Sequence, residues 1–329
     1  MSPKNRVILG LMTFGPDEAS GARITSLDDY GQCLDYLQSQ GYNEIDTAAM
    51  YIGGKQEAFT REARWKERGL KIATKCYPTE AGMHKKDRLP GYCETSLKNL
   101  GADCVDIYYL HAADRSVDFE ETMEACNTLH KAGKFVELGL SNFAAWEVAE
   151  CVTLCRKNGW VQPTIYQAMY NCITRSIEPE LIPCCRKYGI KLVVYNPLAG
   201  GLFSGKYTVE SLKNPPPDAG RYSDSNYLGK MYRDRYFKPE ILRCLELVEP
   251  VAKTHELSLL EIALRWVVNH SQLKIEGDSG DGVIIGVSSF NQLKGNLANL
   301  EKGPLPEDVV KALDEAWLAC KASAPLYWR

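Results

Sequence analysis

The chain has 329 residues, of which 45% are hydrophobic and 25% charged, a globular composition long for one ordinary domain but usual for an eight-unit barrel. A formal net charge of −3 leaves no large basic field for nucleic acid or an anionic membrane. No apolar run reaches the length of a membrane span.

Residues 7–11 read as a first buried strand, and Thr13-Phe14-Gly15-Pro16 turns the chain. Residues 26–40 fit an amphipathic helix with Ser26 as N-cap, Tyr30, Cys33, Leu34 and Leu37 on one face, and Gly41 as its stop. A second strand at 44–46 ends in Asp46, and a helix at 57–65 follows. The third strand, 71–75, ends in Lys75; the next helix, 88–100, takes Pro90 in its first turn and stops at Gly101. The fourth strand, 105–110, runs into His111. Helices at 119–131, 144–158 and 180–188 are each stopped by glycine, and they alternate with strands at 136–140, 164–167 and 191–195. Residues 200–238, rich in glycine, proline and aromatics, read as a long loop. Helices at 241–255 and 259–269, a strand at 283–286, and helices at 290–300 and 307–320 complete the chain.

Eight strand–helix units with short connections predict a parallel sheet. Their near-continuous apolar strands predict a closed (β/α)8 TIM barrel as one domain over residues 1–329, with an insertion after strand seven and extra C-terminal helices. No glycine-rich fingerprint follows the first strand, which speaks against an open dinucleotide-binding sheet. The twelve cysteines are scattered, with no Cys-x-x-Cys and no cysteine–histidine set at zinc spacing. They read as small core or helix-face residues in a reducing compartment, and no metal is expected. No signal peptide is visible, so the expected location is cytoplasmic.

Polar residues close several of these strands. Tyrosine is a poor acid near neutrality, but a neighbouring ammonium stabilises its phenolate and lowers its pKa. An aspartate beside that lysine holds it charged and oriented, and a histidine on the same rim can hydrogen-bond an incoming oxygen. Tyr51, Lys75, Asp46 and His111 together suit proton donation to a carbonyl oxygen. Singly, each has a plainer reading: a cap, a structural ion pair, a satisfied core aromatic.

The run Asp46-Thr47-Ala48 with Tyr51, the strand-ending Lys75 and His111, and Gly139-Leu140-Ser141-Asn142 together resemble the aldo-keto reductase superfamily over essentially the whole chain. Asn196-Pro197-Leu198-Ala199-Gly200-Gly201-Leu202, Gly205-Lys206-Tyr207, Gly220-Arg221 and the ending Tyr327-Trp328-Arg329 are most similar to its aflatoxin-aldehyde reductase branch. The resemblance implies an NADPH-dependent carbonyl reductase with Tyr51 as general acid, Lys75 and Asp46 tuning it, and His111 orienting the substrate. It implies that Ser141, Asn142 and Gln167 hold the carboxamide and that Tyr195 stacks on the nicotinamide. Residues 196–206, with Asn196, Leu198, Gly200 and Lys206, would wrap the pyrophosphate, and Gly286, Ser288, Gln292 and Asn296 would form the adenosine-phosphate pocket. Much of the superfamily carries a cation in that pocket; here the matching stretch is Val287-Ser288-Ser289, so a 2′-phosphate of NADPH or NADP+ would rely on neutral donors and Arg221.

Met12, Thr13, Met50, Tyr232 and Arg329 are the further substrate-facing candidates, and the branch implies that Arg329 meets an acidic substrate group. The branch also implies a homodimer. The alternative within the superfamily is a cofactor-binding regulatory subunit of the potassium-channel β type.

The stretch Gly200 to Lys206 fits the spacing of a nucleotide-hydrolysing loop, but Tyr207 stands where such a loop needs serine or threonine. The arginine- and tyrosine-rich run from Arg221 to Phe237 reads as a rim loop over cofactor or substrate. Trp65, Trp146 and Trp160 read as packing residues, and His84, His130, His255 and His270 receive no role.

Overall fold

Eight short apolar runs pair in parallel in the computed structural model, which describes residues 5–208, 222, 227–275 and 280–329. They are β1 (Arg6–Gly10), β2 (Glu44–Asp46), β3 (Lys71–Cys76), β4 (Val105–Leu110), β5 (Phe135–Ser141), β6 (Pro163–Met169), β7 (Lys191–Tyr195) and β8 (Gly282–Gly286). The strands close into a barrel in chain order, β8 returning to pair with β1. The expected (β/α)8 architecture is therefore borne out.

The barrel is filled by the inward side chains Ile8, Ala73, Ile107, Tyr109, Ile165, Val193 and Ile284. Outward residues such as Leu9, Ile45, Tyr108 and Leu140 pack beneath the helices. This two-sided burial is why the strands read as continuous apolar runs. Where side chains leave no room, the strands use glycine. A Cβ on Gly139 would overlap the ring of Tyr109.

The surrounding helices follow their sequence signals. In α1 (Leu27–Ser39) the Ser26 side chain accepts from the Asp29 N–H, and Tyr30, Cys33, Leu34 and Leu37 are buried. In α3 (Leu89–Leu100) proline occupies the first turn, and Gly101 ends the helix with a left-handed φ of 68°. The ring continues with α2 (Gln56–Glu62), α4 (Phe119–Lys131), α5 (Ala145–Asn158) and α6 (Leu181–Tyr188).

The stretch 200–238 is not a continuous loop. It opens on a 3-10 segment, Ala199–Ser204, and later forms the ten-residue helix α7 (Tyr227–Tyr236). Tyr232 and Tyr236, one turn apart, are buried on α7, and its sequence neighbour Phe237 stacks on the buried Tyr222 at 4.6 Å. Aromatic packing thus supplies the apolar stripe that aliphatic periodicity did not show. The chain then runs through α8 (Pro239–Thr254), α9 (Leu259–Asn269), α10 (Phe290–Leu300) and α11 (Glu307–Cys320). No helix among the described residues is long and apolar enough to cross a membrane.

Two readings of tryptophan hold and one fails. Trp65 is buried and donates to the Leu100 carbonyl at 3.0 Å, and Trp160 packs half-buried on the core. Trp146 lies 60% exposed, pointing outward between buried Ala145 and Glu147, with its ring 6.4 Å from that of Phe119.

Candidate active site

Parallel pairing carries every strand in the same direction, so the polar residues at their C-terminal ends gather on one rim. Gly10 pairs with both Asp46 and Gly286, Lys75 with Tyr109, Ser141 with Gln167, and Met169 with Tyr195. His111 and Asn142 each follow directly on a strand.

Lys75 is fully buried, and its Nζ donates to Asp46 Oδ1 at 2.5 Å, to the Thr47 carbonyl at 2.6 Å and to the Tyr51 hydroxyl at 3.4 Å. The second oxygen of Asp46 accepts from Gln167 Nε2 at 2.8 Å. Burial pushes Lys75 below the ordinary lysine value, opposed by Asp46, and pushes Asp46 upward, opposed by Lys75. The two charges are tolerable inside the barrel because each has its partner and further hydrogen bonds.

A second buried acid lies behind them. Glu57 of α2 accepts from Thr74 Oγ1 at 2.6 Å, and its charge acts on Lys75. Nothing in the sequence separated Glu57 from an ordinary helix glutamate. Its only mark was Thr74 beside Lys75.

Tyr51 opens a short turn, Tyr51–Gly54, in which Ile52 takes φ 50° and ψ 47°. A β-branched residue in the left-handed region is a strained conformation. Ile52 is also buried, and a Cβ on Gly15 would press against it at 3.0 Å, so packing holds the turn and aims Tyr51. Asn142, Asn196 and Ala199 share the left-handed region, and all three follow strand ends on this rim.

The His111 ring stands edge-on to Tyr51, with centroids 6.2 Å apart, and edge-on to Tyr77 at 5.5 Å. Burial, and then the charges of Lys75 and Arg329, hold His111 well below the ordinary histidine value, so it stays neutral near pH 7. Asn142 Nδ2 fixes its backbone by donating to the His111 carbonyl at 2.7 Å and also reaches Ser141 Oγ at 3.0 Å. The Tyr195 hydroxyl donates to Asn142 Oδ1 at 3.2 Å.

Around the rim, Asn196 Oδ1 accepts from the Gly200 N–H at 3.1 Å, and the Leu198 carbonyl accepts from the Gly201 N–H at 2.9 Å. These bonds fold residues 196–205 into a glycine turn, with exposed Lys206 just beyond. Gly286, Ser288 and Gln292 are exposed where β8 enters α10, and the Ser288 N–H donates to Gln292 Oε1 at 2.8 Å. Asn296 is set apart from them, buried one turn deeper in α10. Arg221 lies outside the described residues.

Met12 is half-buried after β1, and Tyr232 is buried where a Cβ on Gly200 would meet its ring. Arg329 is not frayed. Its N–H donates to the Asn142 carbonyl at 3.0 Å and its Nη2 to the Tyr195 hydroxyl at 3.3 Å. Of the histidines given no role, His255 pairs with Asp308 at 2.8 Å and His270 accepts from the Leu305 N–H at 2.7 Å.

Residues 6–318 match the Aldo/keto reductase family. The chain is 43% identical over 330 residues to aflatoxin B1 aldehyde reductase member 2 of Mus musculus, covering 98% of this chain and 87% of that protein. It is 45% identical over 332 residues to aldo-keto reductase family 7 member A3 of Homo sapiens, covering 98% and 96%. Identity to the aldo-keto reductase pigE of Monascus ruber is 35% over 341 residues, covering 100% and 99%.

Proposed function

Because the chain belongs to the aldo/keto reductase family, an oxidoreductase family, we propose that it reduces aldehydes and ketones to alcohols with NADPH, Tyr51 acting as general acid. The observation that carries this reading is the contact of one buried ammonium, Lys75 Nζ, with both Asp46 Oδ1 and the Tyr51 hydroxyl.

A proton leaving Tyr51 leaves a phenolate, and an ammonium 3.4 Å away stabilises that anion far more than water does, since the site is partly shut off from solvent. Asp46 keeps the ammonium charged and pointed. His111 is neutral, so a ring N–H is free to donate to the carbonyl oxygen and hold it against Tyr51. The Arg329 guanidinium meets the Tyr195 hydroxyl and Met231 Sδ, which leaves a cation at the mouth for an acidic substrate group.

The rim fits the cofactor. Gly201 and Gly205 have left-handed φ and open space around them, so their backbone can approach a pyrophosphate closely, with exposed Lys206 adding charge. The exposed first turn of α10, with Gln292 and the preceding Ser288, suits a further phosphate, and exposed Gly286 ends β8 just before it. Ser141, Asn142 and Gln167 would hold the carboxamide, and half-buried Tyr195 would stack on the ring. When bound, NADPH supplies the hydride. All twelve cysteines are free, which suits a reducing compartment such as the cytosol.

Purified protein should oxidise NADPH with nitrobenzaldehyde. Tyr51→Phe should lower that turnover by about a hundred- to ten-thousand-fold, with NADPH binding retained by fluorescence titration. Equal turnover by the mutant would remove Tyr51 from the proton-donor role, and binding without any wild-type turnover would favour a regulatory subunit.

A further inference from the structure

We propose that Arg115, in the connection between β4 and α4, is a positioning residue for substrate selectivity. It clamps residues 327–329 so that the Arg329 guanidinium stands over the catalytic mouth; this rests on the carbonyl-reductase reading above.

The clamp is a two-sided contact. Arg115 Nε and Nη2 donate to Glu147 Oε1 and Oε2 at 2.6 and 2.9 Å, a bidentate pair with a wholly buried carboxylate. Its remaining arm, Nη1, donates to the Arg329 main-chain oxygen at 2.6 Å, and its guanidinium carbon lies 5.3 Å from the Trp328 ring centre. Glu147 is itself fixed by the Ala144 N–H at 2.7 Å. A planar guanidinium presents such donors in a fixed fork, so holding two of them on a rigid carboxylate aims the third.

The neighbouring contacts complete the anchor. The Tyr327 hydroxyl donates to Glu180 Oε2 at 2.7 Å and accepts from the Ala145 N–H at 3.1 Å. The Arg329 N–H donates to the Asn142 carbonyl. Beyond these backbone anchors, the Arg329 side chain meets only neutral groups among the described residues, the Tyr195 hydroxyl at 3.3 Å and Met231 Sδ at 3.7 Å. Its charge already reaches His111. A flexible cation near the mouth would attract any anion weakly. One held by its own main chain offers a preorganised partner to a carboxylate on the substrate.

The test is a double-mutant cycle on Arg115→Met and Arg329→Ala, read with carboxybenzaldehyde and with nitrobenzaldehyde, alongside calorimetric titration of benzoate into the NADP+-loaded protein. Arg115→Met should raise KM for carboxybenzaldehyde about ten-fold, leave kcat and KM for nitrobenzaldehyde within two-fold, and weaken benzoate binding. In the Arg329→Ala background it should add nothing. Trp328→Ala, which keeps the Glu147 pair, should shift the same KM in the same direction by less, and it stands in if Arg115→Met does not fold. An equal KM increase in both backgrounds, an equal loss on both aldehydes, or unchanged benzoate affinity overturns the proposal. Absence of turnover in the wild type overturns the reductase reading alone, since benzoate affinity still reports the clamp; a wild type that binds no benzoate overturns the clamp.

Discussion

Lys75 has no freedom to be replaced. It spends its Nζ on a carboxylate, a carbonyl and a phenol inside a wall of barrel side chains, and no water reaches it. Lys75→Met removes the charge proposed to stabilise the Tyr51 anion and leaves Asp46 buried with Gln167 as its remaining side-chain donor. Turnover of a neutral aldehyde should fall by about a hundred-fold or more, measured as kcat with NADPH saturating. Because burial lowers Lys75, the wild-type rate should fall on the alkaline side at a pH below the ordinary lysine range. Lys75→Met should lose that limb, and an unchanged alkaline limb would assign it to another group. Asp46, Lys75 and His111 were legible because each ends an apolar run, and a strand end on a parallel barrel has only one destination. Ile52, Glu57 and Arg115 were not. The strain at Ile52 is a backbone angle, and the Arg115 fork joins positions 214 residues apart along the chain.

At the scale of elements, Gly139 of β5 pairs with Tyr109 of β4, and its missing side chain makes room for the tyrosine ring. Tyr109 is fully buried in the barrel interior, its ring 6.0 Å from Lys75 Nζ, so it has nowhere to retreat. Gly139→Ala should therefore cost about 1–3 kcal/mol by overpacking, read by urea unfolding. Combining it with Tyr109→Leu should cost less than the two single changes summed, because the overlap is then relieved. Strict additivity would show that the ring moves aside freely. The same packing logic explains which elements could be read in advance. Helices α1 and α3 carry a cap, an aliphatic stripe and a glycine stop in one short window. Helix α7 lacks the glycine stop; its buried Tyr232 meets Tyr222 and the Gly200 turn, and the Tyr236 hydroxyl accepts from Asn171 and Asn196. A helix defined by distant aromatics looks like a loop until those aromatics are in place.

The whole molecule divides its charges between two mouths. At the N-terminal mouth Arg6 and Glu44 form a buried bidentate pair at 2.9 and 2.7 Å, which neutralises both and serves stability. At the C-terminal rim the buried Lys75–Asp46 pair also reaches the Tyr51 hydroxyl, which suits the proposed chemistry. His84, in the connection from β3 to α3, belongs to neither. It is buried, its Nε2 lacks a hydrogen-bond partner among the described residues, and burial pushes it down to about 4 despite the opposing charge of Asp114. In the unfolded chain the same imidazole takes up a proton near pH 6.5. Between those two values the unfolded state binds the proton and the native state does not, so stability falls as pH falls through that window. The loss amounts to about 3 kcal/mol once pH is below both values. A neutral substitute, His84→Gln, should be flatter than the wild type between about pH 6.5 and pH 4 in chemical unfolding. Parallel pH profiles for the two proteins would show that His84 is protonated in the folded state and that acid lability arises elsewhere in the barrel.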